Sequence, residues 1–262
     1  EQTEWYNMHL VHSNESEDVS FRRVIRVAEW TGAPVYFVHV SARQGLAAIQ
    51  EARANGMPIY GEALHNYVCF TSDNYKEENG MKYHTYPSLK SEEDRLAMWD
   101  GLIRGGLNTM ATDEYCTSWD VKIGGRTISD VTGGHNGAET RLGISYSEGV
   151  SKKGMSLQRF VDITSANAAK IMGLYPKKGV LAPGSDADIV LIDPSIKRKL
   201  TKDAFHITDY SIWDGFDIEG WPTTTILRGK VVVENGQFSG STSDGKFQTR
   251  KIDPEFTNRP AC

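Results

Sequence analysis

The sequence VYFVHVS of residues 35–41 is a short run of apolar, β-branched and aromatic residues, and the turn-forming segment TGAP precedes it. This pattern predicts a buried strand that ends at His39. Ser41 can cap a helix, and the helical spacing of apolar residues over 42–54 predicts one there. In parallel α/β sheets the loops that follow the strands carry the chemistry, so His39 is a candidate site residue. For a histidine taken alone, a hydrogen-bonded ring in the core or in a loop is the commoner outcome.

Strands and helices continue to alternate after this first pair. Residues 57–64 predict a second strand, residues 92–103 a helix, and residues 107–112 a third strand that ends at Asp113. Strands that are joined through helices form parallel sheets, so we predict an α/β fold. The polar excursion over residues 71–91 is longer than an ordinary connection, and loops of that length are commonly functional.

The composition changes near residue 176. Beyond it, apolar runs alternate with Pro-Gly, Arg-Gly and Asn-Gly turns, which predicts β strands and a hairpin over residues 223–236. We therefore predict an α/β part over residues 1–175 and a smaller β domain over residues 176–262. The stretch 239–262 has little apolar periodicity and is predicted to be an extended arm.

Composition and charge argue against several classes of protein. The 262 residues carry a net charge of −5 and no long basic run, which argues against nucleic acid as the main partner. No apolar stretch approaches the ~20 residues that a membrane-spanning helix needs, so we expect neither a membrane span nor a signal peptide. Cys69, Cys116 and Cys262 are too few and too scattered for a disulfide framework. They suit a reducing compartment, and we expect a cytoplasmic protein.

Two side chains, His39 and Asp113, follow strands of the same predicted parallel sheet, so they should meet at one edge of it. Imidazole and carboxylate are suitable ligands for Zn²⁺, Mn²⁺ or Fe²⁺. A carboxylate that contacts a metal and its bound hydroxide can also transfer a proton. For Asp113 alone, a turn or a helix cap is the commoner role. Two ligands are too few for a metal site, so these residues agree with a metal hydrolase but do not by themselves define one.

Five other residues are weaker candidates: His9, His12, Glu62, His84 and His135. His9 and His12 precede residues 14–17, which have the composition of a solvated loop, so a shared metal ion is improbable there. Glu62 ends a strand, where burial with a backbone hydrogen bond is more common than catalysis. For the two loop histidines, His84 and His135, a surface position is the commoner outcome.

Five segments together resemble the cyclic amidohydrolases, and most closely their dihydropyrimidinase/hydantoinase branch. They are VYFVHVS (35–41), GEALHNY (61–67), TMATDEYC (109–116), GGHNGAETRL (133–142) and KKGVLAPGSDADIVLIDP (177–194). They occur in the family's order over nearly the whole chain, and the last of them is similar to the superfamily's accessory β domain. The resemblance implies a TIM-like (β/α)₈ metal-dependent hydrolase barrel with a small accessory β-sandwich domain.

The resemblance also implies a mechanism. Members of this family hold two divalent metal ions, usually zinc, which are bridged by a hydroxide and a carbamylated lysine, and the hydroxide attacks the ring amide carbon. His39 matches the metal-binding histidine of the sixth strand, and Asp113 matches the eighth-strand aspartate that binds metal and moves the proton. Tyr86 and Gly133 match positions whose backbone groups hold the substrate. The implied partner is a small cyclic amide or ureide, and the implied assembly is a homotetramer.

The sequence departs from the family pattern in two respects. YHTYPSLK (83–90) replaces a run of the SPPLR type, and Gly133 stands where an asparagine is common; both positions bear on the choice of substrate. The His-x-His pair of the first strand, the lysine of the fourth and the histidine of the fifth have no counterpart. We therefore expect this chain to be the C-terminal portion of a longer enzyme, with strands six to eight of its barrel, and to be incomplete by itself.

Two other functions remain open from the sequence. Allantoinase or dihydroorotase activity on a carboxylate-bearing substrate would need a basic group in the pocket, and the loops offer Lys90, Lys122 and Arg126. A non-catalytic scaffold with the dihydropyrimidinase fold would not need to keep both His39 and Asp113.

Overall fold

A three-stranded parallel sheet lies at the centre of the first part of the chain in the computed structural model, which describes residues 3–206 and 208–262. The strands are β1 (Val35–Phe37), β2 (Ile59–Leu64) and β3 (Thr109–Ala111). β2 is central and pairs in parallel with both of its neighbours. The α/β fold predicted from the strand–helix alternation is therefore confirmed.

Three helices pack beside this sheet: α1 (Asn14–Thr31), α2 (Arg43–Ala54) and α3 (Glu92–Arg104). Local signals explain where they begin. The Ser13 hydroxyl oxygen accepts the backbone N–H of the third residue of α1, and Ser91 forms a reciprocal capping box at the start of α3. The α2 helix is the one that the periodicity of residues 42–54 predicts.

The main core lies between the sheet and the apolar faces of these helices. The buried side chains that form it include Phe37, Val40, Leu46, Ile49, Ile59, Met98, Trp99, Leu102, Leu107, Phe160 and Ile163. Alternation in β2 and helical spacing in α2 and α3 bring these residues to one side of each element, which is why they share one core.

Two irregular helical segments follow the sheet. They consist of Arg141–Ile144, which continues into the π-helix Ser145–Lys152, and of Leu157–Val161, the π-helical turn Asp162–Ala166 and Asn167–Ile171. The sequence predicts helices over 139–148 and 157–172, and a capping turn near Thr164 in the second of them. The Thr164 hydroxyl instead donates to the carbonyl of Phe160 at 2.6 Å, so its side chain bonds back along the helix and does not cap a new one.

The second part of the chain forms a four-stranded antiparallel sheet in the order β4-β5-β6-β7. Its strands are β4 (Ile189–Lys199), β5 (Asp217–Leu227), β6 (Lys230–Glu234) and β7 (Gln237–Phe238). Arg228 and Gly229 connect β5 to β6, and Asn235 and Gly236 connect β6 to β7, all four with positive φ. Two-residue turns of this kind match the twist of antiparallel strands, so the Arg-Gly and Asn-Gly pairs mark the hairpins.

The segment 239–262, predicted to be an extended arm, folds back on the chain. It contains the short helix Pro254–Asn258, and Phe256 is buried against Tyr60. The Tyr60 hydroxyl donates to the carbonyl of Phe256 and to that of Arg259, each at 2.9 Å. The segment 239–262 therefore covers the end of the parallel sheet at which β2 begins.

Short helical turns occupy several connections: Trp5–Asn7, Met8–Val11, Ser72–Lys76, Gly80–Tyr83, Trp119–Lys122, Lys202–Ala204 and Thr242–Asp244. Within residues 3–206 and 208–262, none of the helices has both the length and the apolar character needed to span a bilayer.

The contact between Gly143 and Trp221 joins the helical layer to the antiparallel sheet and gives a testable prediction. A Cβ atom at Gly143 would lie 2.2 Å from the Trp221 ring, a distance that requires the ring or the helix to move. We expect Gly143→Ala to lower the free energy of unfolding by about 1–3 kcal/mol, measured by urea denaturation. Gly245→Ala is the control, because the nearest atom to its added Cβ is 3.6 Å away. Equal stability of the two variants would contradict this packing.

Candidate active site

His39 and Asp113 lie just beyond β1 and β3, the two strands that flank β2, at the same edge of the parallel sheet. Both have left-handed backbone conformations, with φ of +43° for His39 and +47° for Asp113. Such conformations are uncommon for residues other than glycine, cost of order 1–3 kcal/mol, and cluster at functional sites. The structure thus brings the two principal candidates to one edge and gives them the same unusual backbone geometry.

Glu62 connects the strands beneath this edge. One of its carboxylate oxygens accepts the backbone N–H of His39 at 3.4 Å, and the other accepts the Tyr36 hydroxyl at 2.5 Å. The Tyr36 hydroxyl also lies 2.6 Å from the Thr109 hydroxyl. Burial and the Glu62 carboxylate raise the pKa of Tyr36 far above its usual value, so the phenol stays protonated. The side chain of Glu62, expected to be held by a backbone hydrogen bond, thereby supports the segment that carries His39.

Glu17 was missed as a site residue by sequence reasoning. Its residues 14–17 were expected to form a solvated loop, but they form the first turn of α1. The buried Glu17 carboxylate accepts the backbone N–H groups of Ser41 and Ala42 at 3.1 and 2.9 Å, and the Ser41 hydroxyl at 2.5 Å. Burial raises the pKa of Glu17, and these hydrogen bonds oppose the rise. The sequence signal that could have placed Glu17 in a helix was Ser13 followed by acidic residues, which is typical of a helix start.

Tyr86 and Gly133, which come from the two long loops, are in contact. A Cβ atom at Gly133 would lie 2.3 Å from Cδ2 of the Tyr86 ring, so the ring lies directly over this glycine. The Tyr86 hydroxyl donates to the carbonyl of Val131 at 3.2 Å. Because the ring fills the space beside Gly133, an asparagine at that position would require Tyr86 to move.

A cavity of about 360 Å³ lies beside His39 and Tyr86, whereas Asp113 and Gly133 are not among its lining residues. Its lining includes His12, Glu17, His39, Tyr86, Pro87 and Lys90. Its volume suits a small ring-shaped ligand. The Lys90 ammonium is already engaged, since it donates to the carbonyl of His12 and to the Ser88 hydroxyl. Burial lowers the pKa of Lys90 from its usual value.

The two loop histidines, His84 and His135, were expected at the surface, and this was wrong: both are buried. Burial lowers the pKa of His84 to about 3 and that of His135 to about 4, so both rings are neutral at physiological pH. The His84 ring packs edge-on against Tyr86 at 4.6 Å, and the loops fold over both rings. Both histidines therefore belong to the packed interior of the loops and not to the surface.

The donors at this edge of the sheet fit a divalent cation in type but not in number. His39 and Asp113 supply an imidazole and a carboxylate, which are common zinc ligands. Within the described ranges of the chain, however, no group of three or more His, Cys, Asp and Glu side chains could hold a metal ion. A zinc site uses at least three protein ligands, so the described residues do not complete one.

Comparisons with known proteins agree on one family. The model of the Amidohydrolase family matches residues 37–232. A D-phenylhydantoinase from Escherichia coli is 36% identical over 242 residues, which cover 90% of this chain and 52% of that relative. The chain thus spans about half the length of the curated relatives it matches.

Solved structures give the same result. A dihydropyrimidinase from Brevibacillus agri has a TM-score of 0.92 at 32% identity, covering 95% of this chain and 55% of that one. A D-hydantoinase (dihydropyrimidinase) from Thermus sp. has a TM-score of 0.91 at 33% identity, covering 95% of this chain and 55% of that one.

Proposed function

This chain belongs to the amidohydrolase family and matches about half of the TIM-barrel structures of its hydantoinase neighbours, and from this premise we propose that the complete protein is a metal-dependent hydrolase of hydantoins or dihydropyrimidines. The observation that carries the proposal is the position of His39 and Asp113. Both follow parallel strands at the edge where such folds carry their chemistry, and both have strained backbones there. The names of the relatives support the class of reaction, which is hydrolysis of a cyclic amide.

We assign roles to the residues of this chain as follows. His39 and Asp113 would hold the metal, and Asp113 would also take a proton from the attacking water and pass it to the leaving ring nitrogen. When bound, a divalent ion polarises the carbonyl and makes water more acidic. The expected pair of zinc ions with a bridging carbamylated lysine needs donors beyond those that the described residues bring together.

Tyr86 and Gly133 are proposed to hold the substrate ring through their backbone groups. An uncharged ring is favoured over the carboxylate-bearing substrates of allantoinase or dihydroorotase, because none of the three basic residues that the described loops offer is placed to pair with a carboxylate in the cavity. Lys90 lines the cavity but is engaged by a carbonyl and a hydroxyl, Lys122 is fully buried, and Arg126 is exposed outside the cavity lining.

We also propose a domain organisation, an assembly and a location. The parallel sheet within 35–111 and the antiparallel sheet within 189–238 support a boundary near residue 176, with part of the hydrolase barrel before it and the accessory β domain after it. The exposed apolar side chains Val19 and Trp30 on α1 support a homo-oligomer, expected to be a tetramer. The free cysteine thiols suit a reducing cytoplasm.

Metal content and hydrolysis of hydantoin and dihydrouracil, measured on the complete protein, test the function. We expect about two metal ions per chain, loss of turnover after chelation, and recovery when zinc is returned. Light scattering on the same sample gives the mass of the assembly. Absence of both bound metal and turnover would contradict the proposal and favour a non-catalytic scaffold of the same fold.

A further inference from the structure

Lys122 is a fully buried lysine whose ammonium group donates hydrogen bonds to three backbone carbonyls. It lies at the end of the short helix Trp119–Lys122, and its Nζ donates to the carbonyls of His84, Thr132 and Gly134 at 2.7, 2.8 and 2.5 Å. No carboxylate pairs with it in the part of the chain that the structure describes. Burying a charge without an opposite charge costs free energy of folding. A lysine in this position therefore calls for a reason other than stability.

The three carbonyls belong to the two loops that carry Tyr86 and Gly133. Besides the ammonium, the backbone N–H of Gly134 donates to the carbonyl of His84 at 3.0 Å, the Tyr86 hydroxyl donates to the carbonyl of Val131, and the Tyr86 ring packs on Gly133. The Nζ of Lys122 therefore lies where the segment 84–86 meets the segment 132–134. A change there would alter how the Tyr86 ring lies over the backbone of the second loop.

We infer that Lys122 is a positioning residue that sets the affinity for substrate, by holding the carbonyls of His84, Thr132 and Gly134 so that Tyr86 and Gly133 keep their mutual arrangement. The inference rests on the proposed function, since it takes these two residues as the substrate-holding positions. Lys122 does not contact substrate in this scheme, because all three of its N–H groups are used by the loops.

The titratable groups that face Lys122 from the surrounding elements are Cys116, His84 and His135. Burial raises the pKa of Cys116 to about 11 and lowers those of His84 and His135 to about 3 and 4. None of these three changes charge near pH 7, whereas burial lowers the pKa of Lys122 to about 7. Above that pH the neutral amine has two N–H groups for three carbonyls, so the loops should loosen as the pH rises.

The first test is the kinetics of Lys122→Met in the complete protein with hydantoin as substrate. We expect KM to rise about tenfold or more at pH 6.5 with kcat within about twofold, because hydrogen bonds from a charged donor are lost. The rise of KM with pH above 7 that we expect in the unsubstituted protein should be absent in the variant. Lys76→Met is the control. Lys76 is exposed in the excursion 71–91, which also carries His84, and its substitution should leave both KM and kcat unchanged.

The second test does not depend on activity. Hydrogen exchange in a peptide covering residues 131–137 should be faster in Lys122→Met, while peptides from α2 and α3 exchange as before. If the variant fails to fold, the unsubstituted protein gives the test. Exchange of the peptide 131–137 should then accelerate as the pH rises through 7, relative to the exchange of a peptide from α1.

The outcomes separate the two proposals. Unchanged KM together with unchanged exchange over 131–137 would overturn the positioning role. Faster exchange spread equally over α2 and α3 would also overturn it, because Lys122 would then be a general structural residue. Absence of hydrolysis in the unsubstituted protein would contradict the proposed function, and the exchange data alone would then decide whether Lys122 holds the loops.

Discussion

Asp113→Asn should reduce hydantoin turnover by about 10²–10⁴-fold while leaving the fold and the assembly unchanged. The substitution keeps the size of the side chain and one oxygen donor but removes the group that accepts a proton. Asparagine tolerates the left-handed conformation that Asp113 adopts, with its φ of +47°, so the backbone strain should be unaffected. The loss would therefore report on chemistry and not on folding.

The measurement is kcat together with bound metal and the melting temperature of the complete protein. Asp100→Asn is the control, because Asp100 is an exposed aspartate on α3 whose carboxylate pairs with Arg104. We expect full activity from that variant. Activity of Asp113→Asn within a few-fold of the unsubstituted protein would show that the proton moves through another group and would remove the assignment of Asp113.

Trp213→Ala should destabilise the fold by about 3–5 kcal/mol, the usual range for removing a fully buried tryptophan. Trp213 has no exposed surface, and its ring stacks on His65 with centroids 4.5 Å apart. Phe70 and Phe216 contact the same ring at 5.0 and 5.5 Å. Its Nε1 also donates to the carbonyl of Asn136 at 3.1 Å, so the substitution leaves a cavity and removes that hydrogen bond.

Urea denaturation followed by circular dichroism gives the change in the free energy of unfolding. Phe247→Ala is the control, because Phe247 is 92% exposed and its removal should change stability by less than about 0.5 kcal/mol. Similar unfolding free energies for the two variants would mean that Trp213 does not anchor the packing between the loops and the second part of the chain.

Much of the fold was predictable because the signals for it are local. The apolar run before His39, the glycines and caps around α2 and α3, and the Asn-Gly turn at 235–236 each act within a few residues. The start of α1 was the main exception. Its first turn is polar, and the apolar pattern that identifies a helix begins only later, so the cap at Ser13 was the one available signal.

The candidate site was predictable only in part. His39 and Asp113 could be expected at one edge, because parallel strands place their C-terminal ends together. The contact between Tyr86 and Gly133 could not be derived from spacing, since it depends on how two long loops fold against each other. For the same reason no pattern indicated that Glu17 would hold the segment after His39.

The sequence by itself determined the order of strands and helices and the residues that follow each strand, because periodicity and turn chemistry act over short distances. Only the tertiary structure decided which polar residues are buried. His84 and Lys122 belong to different loops and have ordinary polar surroundings in the sequence, yet folding places the ammonium of one against the carbonyl of the other. A polar side chain can be buried only where remote partners satisfy it, and where such partners converge is a property of the folded chain.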